Sequence, residues 1–371
     1  MGRVAEKIKK TLKPVMPPSA TTFFQVSRQM LDEIMGTNRD MGQELEKIRN
    51  ELQKTRKELE AIRRELRQGA LGNYSFGHEE QNYAYVSSLP AEKYPEELCK
   101  WYYQRTGNYL DLANPRSFNE KIQWLKLYDA TPLKTRLADK YLMRDWIREK
   151  IGGEYLVPLL GVWDSFDGID FDQLPDQFVL KANHGSGWNI IVKDKSQLDR
   201  EEAMRKFDKW LRQNFAYNGF QLHYLNIPPR IIAEQYVENT EGIRDYKFFC
   251  FNGKPAQVWA NIFSGTPDHL RSVFDMEWNP VPLKCNWPEG GDLLKDKPRT
   301  FEQMKHFAEL LSRDFAFVRV DFFEIEGKPY VGEMTFTPAN GRGRFDPPEW
   351  DYRLGDLLIL PEKQPMPERI I

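Results

Sequence analysis

Residues 178–194 read Phe178-Val-Leu-Lys-Ala-Asn-His-Gly-Ser-Gly-Trp-Asn-Ile-Ile-Val-Lys-Asp194, two short β-rich runs around a loop that carries Gly185 and Gly187. Such runs on either side of a glycine loop predict a β-hairpin. Glycines let backbone N–H groups turn toward an anion, and Lys181, on the strand face of Val179, adds a point charge beside them. That chemistry suits a triphosphate. No Gly-Lys-Ser/Thr follows, and no helix signal opens behind the loop, so it is not a Walker A sequence.

A second hairpin lies far downstream. Its strands read Phe315-Ala-Phe-Val-Arg-Val-Asp-Phe-Phe-Glu-Ile325 and Pro329-Tyr-Val-Gly-Glu-Met-Thr-Phe-Thr337, joined through Glu326-Gly327-Lys328. A three-residue loop with Gly327 left-handed pairs Ile325 with Pro329 and sets Asp321 opposite Glu333. A two-residue loop would place them on opposite faces. Directly opposed carboxylates repel unless a cation sits between them, and hard oxygen ligands suit Mg²⁺, with phosphate oxygens completing its shell. Arg319 and Thr335 fall on the same face.

These two hairpins, with the segment Ile231-Ile-Ala-Glu-Gln-Tyr-Val-Glu238 between them and Thr335-Phe-Thr-Pro-Ala-Asn-Gly341 after them, resemble the ATP-grasp fold. More narrowly, Phe118-Asn-Glu-Lys-Ile-Gln-Trp-Leu-Lys-Leu-Tyr-Asp129, Leu137-Ala-Asp-Lys-Tyr141, the glycine loop and Asp245-Tyr-Lys-Phe-Phe-Cys-Phe-Asn-Gly253 resemble the TupA-like ATP-grasp group of bacterial cell-surface polysaccharide clusters. The resemblance spans roughly residues 95–360. It implies an α+β body that binds ATP and Mg²⁺. Lys140, Lys181, His184, Gly185, Ser186 and Gly187 would meet the phosphates. Glu234, Gln235 and Val237 would lie against adenine, and Glu238 would accept from the ribose hydroxyls. Asp321, Glu333 and Thr335 would hold metal, Thr335 standing where the family has Asn. Lys247 and Arg319 take catalytic roles. Asn340, Arg342 and Arg344 are the expected substrate contacts, since Arg grips carboxylate or phosphate at two points.

The implied activity is ATP-dependent carboxylate–amine ligation through an acyl phosphate, on a sugar acid or amino-acid substituent of a surface polysaccharide. Two other classes stay open. A glycosyltransferase would take a nucleotide sugar, and the sole Asp-x-Asp here, Asp170-Phe-Asp172, falls in a separate loop. A non-catalytic scaffold would rest on the N-terminal segment.

That segment carries the most regular pattern in the chain. Leu31, Asn38, Leu45, Leu52, Leu59 and Leu66 occupy position a of a heptad repeat, and Ile34, Met41, Ile48, Thr55 and Ile62 occupy d. Glu44, Glu51 and Glu58 at g each precede an Arg at e by five residues, namely Arg49, Arg56 and Arg63, the pairing of parallel helices in register. Leu at a with Ile at d favours three or four strands, Asn38 and the charged flanks two; a tetramer is the expectation ahead of a dimer. The domains expected are a basic arm (1–22), a parallel coiled coil (23–68), a tyrosine-bearing linker (69–95) and the ATP-grasp body (96–371).

Within the body, helices are expected over 96–105, 120–128 (capped by Ser117 or Asn119), 136–151, 201–215 and 301–314. Strands are expected over 230–237 and, around an Asn252-Gly253 turn, 246–251 and 256–262. Residues 264–300, rich in Pro, Trp and Gly, read as a lid or part of the acceptor pocket.

Composition fits this organisation. Of 371 residues, 40% are hydrophobic and 13% aromatic, ample for a core, and a net charge of −2 argues against a nucleic-acid partner. Residues 1–70 hold 15 Lys/Arg against 10 Asp/Glu, leaving a body with 38 against 45. Cys99, Cys250 and Cys285 show no metal spacing, which fits a reducing cytoplasm. No run approaches the ~18 apolar residues of a membrane span. Residues 3–15 place Val4, Ile8, Leu12 and Val15 on one stripe with four lysines elsewhere. Such a stripe suits peripheral contact with the inner membrane surface or, before Pro14, Pro17 and Pro18, a frayed basic terminus.

Overall fold

The computed structural model describes residues 79–237 and 244–370, together with helical positions Glu46, Lys47, Asn50, Glu51 and Lys54. Every heptad a and d position, the basic arm and Glu238 lie outside the described residues. The chain divides into two units, Met1–Gly72 and Asn73–Ile371.

The second unit opens with helices α1 (Glu79–Ser88), α2 (Tyr94–Thr106), α3 (Phe118–Tyr128), α4 (Pro132–Ala138) and α5 (Met143–Lys150). Strands β1 (Leu159–Trp163), β2 (Phe178–Ala182) and β3 (Asn189–Val192) follow, then α6 (Arg200–Arg212) and β4 (Ile231–Gln235). These four strands make an antiparallel sheet of order β1-β4-β2-β3. Next come β5 (Arg244–Phe251), β6 (Lys254–Ile262), β7 (Leu270–Phe274), β8 (Lys284–Cys285), α7 (Phe301–Ser312), β9 (Phe317–Ile325), β10 (Lys328–Thr335), β11 (Phe345–Asp346) and α8 (Glu349–Leu357). The second sheet has five antiparallel strands in the order β10-β9-β5-β6-β7, and β11 pairs with β8. This is the α+β body expected.

The five-stranded sheet is covered on both faces. Phe248, Val258, Val320 and Phe322 meet Phe301, Met304, Ala308 and Leu311 of α7. Phe249, Phe251, Trp259 and Phe317 on the other face meet Phe118 and Ile122 of α3. Fully burying a Phe contributes about 1.5–3 kcal/mol, so β5 is anchored from two sides. In the four-stranded sheet Phe178, Leu180 and Ala182 pack with Ala203 and Phe207 of α6, which leaves Val179 and Lys181 on the opposite face. Ser117 caps α3 in a full capping box with Glu120, resolving that choice between caps.

Three expectations change. Part of the expected linker is helix α1, whose Val86 is buried and whose Tyr83 hydroxyl accepts the Asn214 N–H at 2.9 Å. The helix expected over 136–151 is two. Asp139 leaves the helical region (φ −73°, ψ 112°), and its carboxylate accepts the N–H groups of Tyr141 and Leu142 at 2.8 and 3.3 Å. Such local bonding competes with the helix ladder and puts Lys140 at the corner.

The third change concerns the downstream hairpin. Its loop has two residues, Glu326 (φ 52°) and Gly327 (φ 74°), so Ile325 pairs with Lys328. A register shift between Val331 and Glu333 then restores Asp321 opposite Glu333. The extra residue expected in the turn is Gly332 in the strand, where a Cβ would stand 2.5 Å from the Phe323 ring. A bulge moves every later side chain to the other face, which is why the pairing holds although its stated reason does not.

Candidate active site

On the four-stranded sheet, β2 and β3 present the loop Asn183–Trp188. The Ala182 N–H donates to the Trp188 carbonyl at 2.9 Å and closes it, and Gly187 sits at φ +76°. Gly185 has no room for a side chain, because a Cβ would lie 2.4 Å from the Trp188 ring. Ser186 and Gly187 are exposed at the tip. Lys140 reaches the loop from the α4–α5 corner: its N–H donates to the Asn183 carbonyl at 3.1 Å and its ammonium to the Gly185 carbonyl.

Lys181 projects from the open face of β2 to Glu234 of β4 at 2.5 Å, and the other Glu234 oxygen takes Arg144 at 2.9 Å. Arg144 is tied in turn to the Val157 carbonyl at 2.7 Å. The Glu234 side chain therefore positions two cations rather than facing a base, which corrects the side-chain form of its expected adenine contact and leaves the backbone form. Gln235 is exposed, with its N–H on the Pro158 carbonyl at 3.0 Å, and Val237 is half-buried just past the strand.

His184 is also corrected. Its ring is buried beneath the loop, with Nδ1 3.1 Å from Asn183 Oδ1 and Nε2 3.0 Å from the Trp210 carbonyl. Burial first, and Lys140 nearby, push its pKa down to about 4 against the pull of the Trp210 carbonyl. It pins the loop to α6 and presents no side chain to a ligand.

On the five-stranded sheet the register aligns Thr335 and Glu333 of β10 with Arg319 and Asp321 of β9, and Asp321 with Lys247 of β5. Buried charges must be paired, and here they are. Arg319 grips Asp321 with two bonds, 2.6 Å from Nε and 2.7 Å from Nη2, and its Nη2 also donates to Glu333 at 2.8 Å and Thr335 at 3.1 Å. Lys247 sits 2.9 Å from both Asp321 and Asp245. Burial pulls the Glu333 carboxyl up, but Arg319, Lys140 and Lys247 together overcome it and hold it at about 2. Burial likewise works against the charge on Arg319, yet Asp321 and Glu333 outweigh it and raise its pKa.

The cation between the opposed carboxylates is thus a guanidinium. Among the described residues no cluster of three or more His, Cys, Asp and Glu marks a metal centre. Asp321 and Glu333 nonetheless offer the one or two carboxylates with which Mg²⁺ is usually held beside substrate phosphates, once Arg319 Nη2 withdraws from Glu333. The donor set fits the ion.

A cavity of about 200 Å³ opens beside Lys247 and Arg319, bounded by Phe249, Trp259, Arg271, Trp287 and Phe345. From the loop after β10 it takes Pro338, Ala339 and Gly343, not the expected Asn340, Arg342 and Arg344. The Asn340 carbonyl accepts from Lys126 at 2.9 Å, Arg342 lies over the Trp101 ring at 5.2 Å, and Arg344 is exposed. A wider hollow, about 1290 Å³, is lined by Gln235 and Tyr236 with Lys193, Lys195 and Arg200, and includes neither Asp321 and Glu333 nor the glycine loop. Asp170 accepts the Asp172 N–H at 3.1 Å and the Gln173 amide at 2.8 Å, so the first carboxylate of the Asp-x-Asp pair is occupied in capping a short turn.

Three participants went unread in the sequence: Asp245, Arg144 and Arg271. Asp245 had a signal, since Asp245-Tyr-Lys247 puts it on the Lys247 face by strand alternation. Arg144 and Arg271 had none, because their partners are fixed by strands elsewhere in the chain.

The family model described as TupA-like ATPgrasp matches residues 120–359, and the chain belongs to that family. No curated protein matches it. Among solved structures it is similar to D-alanine–D-alanine ligase from Bacillus anthracis complexed with ATP (14% identity, 54% of each chain covered, TM-score 0.33). It is also similar to the D-alanine–D-alanine ligase of Helicobacter pylori (17% identity, 62% of this chain and 60% of that one, TM-score 0.38). The chain thus spans little more than half the length of these structures. No helix among the described residues is long and apolar enough to cross a membrane.

Proposed function

We propose that this chain, as a member of the TupA-like ATP-grasp family, is an ATP-dependent carboxylate–amine ligase. The observation that carries the reading is Lys140, whose ammonium holds the glycine loop at Gly185; its charge also helps hold the Glu333 carboxyl down, which supports reading loop and carboxylate pair as one site. Loop N–H groups, Lys140 and Lys181 bind the phosphates, with Gln235 and Val237 toward the base. Asp321 and Glu333, with Thr335 beside them, would hold Mg²⁺, which would supply positive charge to screen the phosphates.

Arg319 and Lys247 orient the acid. Its carboxylate oxygen attacks the γ-phosphorus, the bond to the β–γ bridging oxygen breaks, and ADP leaves. An amine then adds to the acyl carbon, phosphate departs with the bonding pair, and the amine loses a proton to give the amide. Fixed cations placed where charge develops supply most of the stabilisation in such a reaction.

The family and the apolar stripe of residues 3–15 support a setting in the cytoplasm, at the inner membrane surface. There a sugar acid or amino-acid substituent of a surface polysaccharide is joined, with the N-terminal helices gathering several bodies. Calorimetric titration of Mg–ATP against a panel of nucleotide sugars tests the core of this. Binding of ATP alone, followed by ADP release when acid and amine are both present, is expected. Tighter binding of a nucleotide sugar, or no ATP binding, overturns it.

A further inference from the structure

The charges of the five-stranded sheet continue past Lys247. The register sets Asp245 opposite Asn261 on β6 and Asn261 opposite Arg271 on β7, so one polar band crosses all five strands from Thr335 to Arg271. It is hydrogen-bonded throughout: Asn261 donates to Asp245 at 2.9 Å and accepts from Arg271 Nε at 2.7 Å.

The cations along this band differ in their partners. Arg319 has Asp321 and Glu333, and Lys247 has Asp321 and Asp245. Arg271 is held by neutral groups, Asn261 and the Cys285 carbonyl at 3.0 Å, with its guanidinium 5.0 Å from the centre of the Trp259 ring. Among the described residues no carboxylate lies within ion-pair distance of it. Burial lowers its pKa to about 10, which leaves it charged at neutral pH. A largely buried cation without a counter-charge is costly, and the surrounding acceptors hold it aimed at the cavity it shares with Lys247 and Arg319.

Among the described residues no Asp or Glu lines that cavity. Trp287, stacked on His269 at 4.3 Å, and Phe345 supply flat apolar walls. Its volume of about 200 Å³ leaves room for one small acid.

We infer that Arg271 seats a second anionic group of the acid substrate, so that the acid ligated here is doubly charged, with one carboxylate reacting beside Arg319 and Lys247. The inference rests on the ligase reading. A guanidinium fork takes carboxylate and phosphate alike, and strand β7 makes Arg271 the residue that selects the acid rather than one that drives phosphoryl transfer.

The test titrates matched acids into the full chain with Mg²⁺ and a non-hydrolysable ATP analogue: glutamate against glutamine, succinate against succinamate, glucuronate 1-phosphate against glucuronate. In at least one pair the doubly charged member is expected to bind tenfold or more tightly. Arg271→Met erases that preference, Arg271→Lys keeps part of it, and analogue affinity stays the same in all three proteins, which also reports folding. Equal affinities within every pair, or a preference that survives Arg271→Met, overturns the inference and leaves the ligase reading intact. Absence of analogue binding to the unaltered protein refutes the ligase reading and this inference with it.

Discussion

The four-stranded sheet carries its charges at one end of a short hairpin, where Lys181 and Arg144 share Glu234 and Lys140 leans on a glycine loop. The five-stranded sheet carries them as a band on the face of Phe249 and Phe317, with carboxylates and cations alternating across the strands. Cations outnumber anions in the first region, and Lys181 keeps 26% of its side-chain surface in contact with solvent, so it suits a charged ligand arriving from water. The second has its carboxylates paired internally and accepts a ligand only by exchanging one partner for another. One region attracts phosphate; the other is built to be rearranged by it.

The largest effect expected of breaking this contrast is at Asp321. Asp321→Asn removes the carboxylate that both Arg319 and Lys247 share, and ADP release should fall by about 10³-fold or more, as when a preorganised charge is lost from a reacting centre. Residual turnover within tenfold of the unaltered protein would move the chemistry elsewhere.

Lys181→Ala should weaken ATP binding by about 10- to 100-fold in calorimetry, the loss of one charge-assisted phosphate contact, with a smaller penalty at high salt. An ATP affinity unchanged by this substitution would mean that Lys181 serves Glu234 alone.

His184 sharpens the comparison through pH. Its folded pKa of about 4 lies below the ordinary 6.5, so the neutral ring is what the fold favours. That contribution is complete above pH 6.5 and lost as pH falls from 6.5 toward 4, a change on the order of 3 kcal/mol. Thermal unfolding measured across this window should flatten in His184→Gln. Glu333, held at about 2, should contribute no such slope above pH 5.

The smallest effect is a control. Ser117→Ala removes the α3 cap outside both charge clusters and should cost about 1 kcal/mol in urea unfolding while ATP affinity stays constant. A change in ATP affinity there would show that stability and site geometry are coupled through α3, whose Gln123 and Lys126 hold the Asn340 carbonyl.

Much of this site was legible because strand alternation and turn chemistry are local. The 178–194 hairpin, the Asn252-Gly253 turn, the Ser117 cap and the shared face of Lys181 and Val179 all follow from neighbours within a few residues. The Asp321–Glu333 pairing was legible for an incomplete reason, since turn length and the Gly332 bulge offset one another and neither can be weighed without the Phe323 ring that fills the space. Lys140 was readable as a residue type, and its corner position was not, because Asp139 ends the helix by bonding ahead of itself.

The sequence by itself determined the two hairpins that carry the site, which face of their strands is apolar, and that lysines, a glycine loop and two carboxylates occur in the order of an ATP-grasp body. Only the tertiary structure decided what each charge does. Glu234 became a partner of Lys181 and Arg144, His184 became buried support, and Arg271 rather than Arg342 or Arg344 came to face the cavity. The physical reason is range. Secondary structure is set by contacts a few residues apart, whereas a buried charge is stable only beside a counter-charge or acceptor that another strand delivers, and which strand lies next in the sheet is a property of the whole chain.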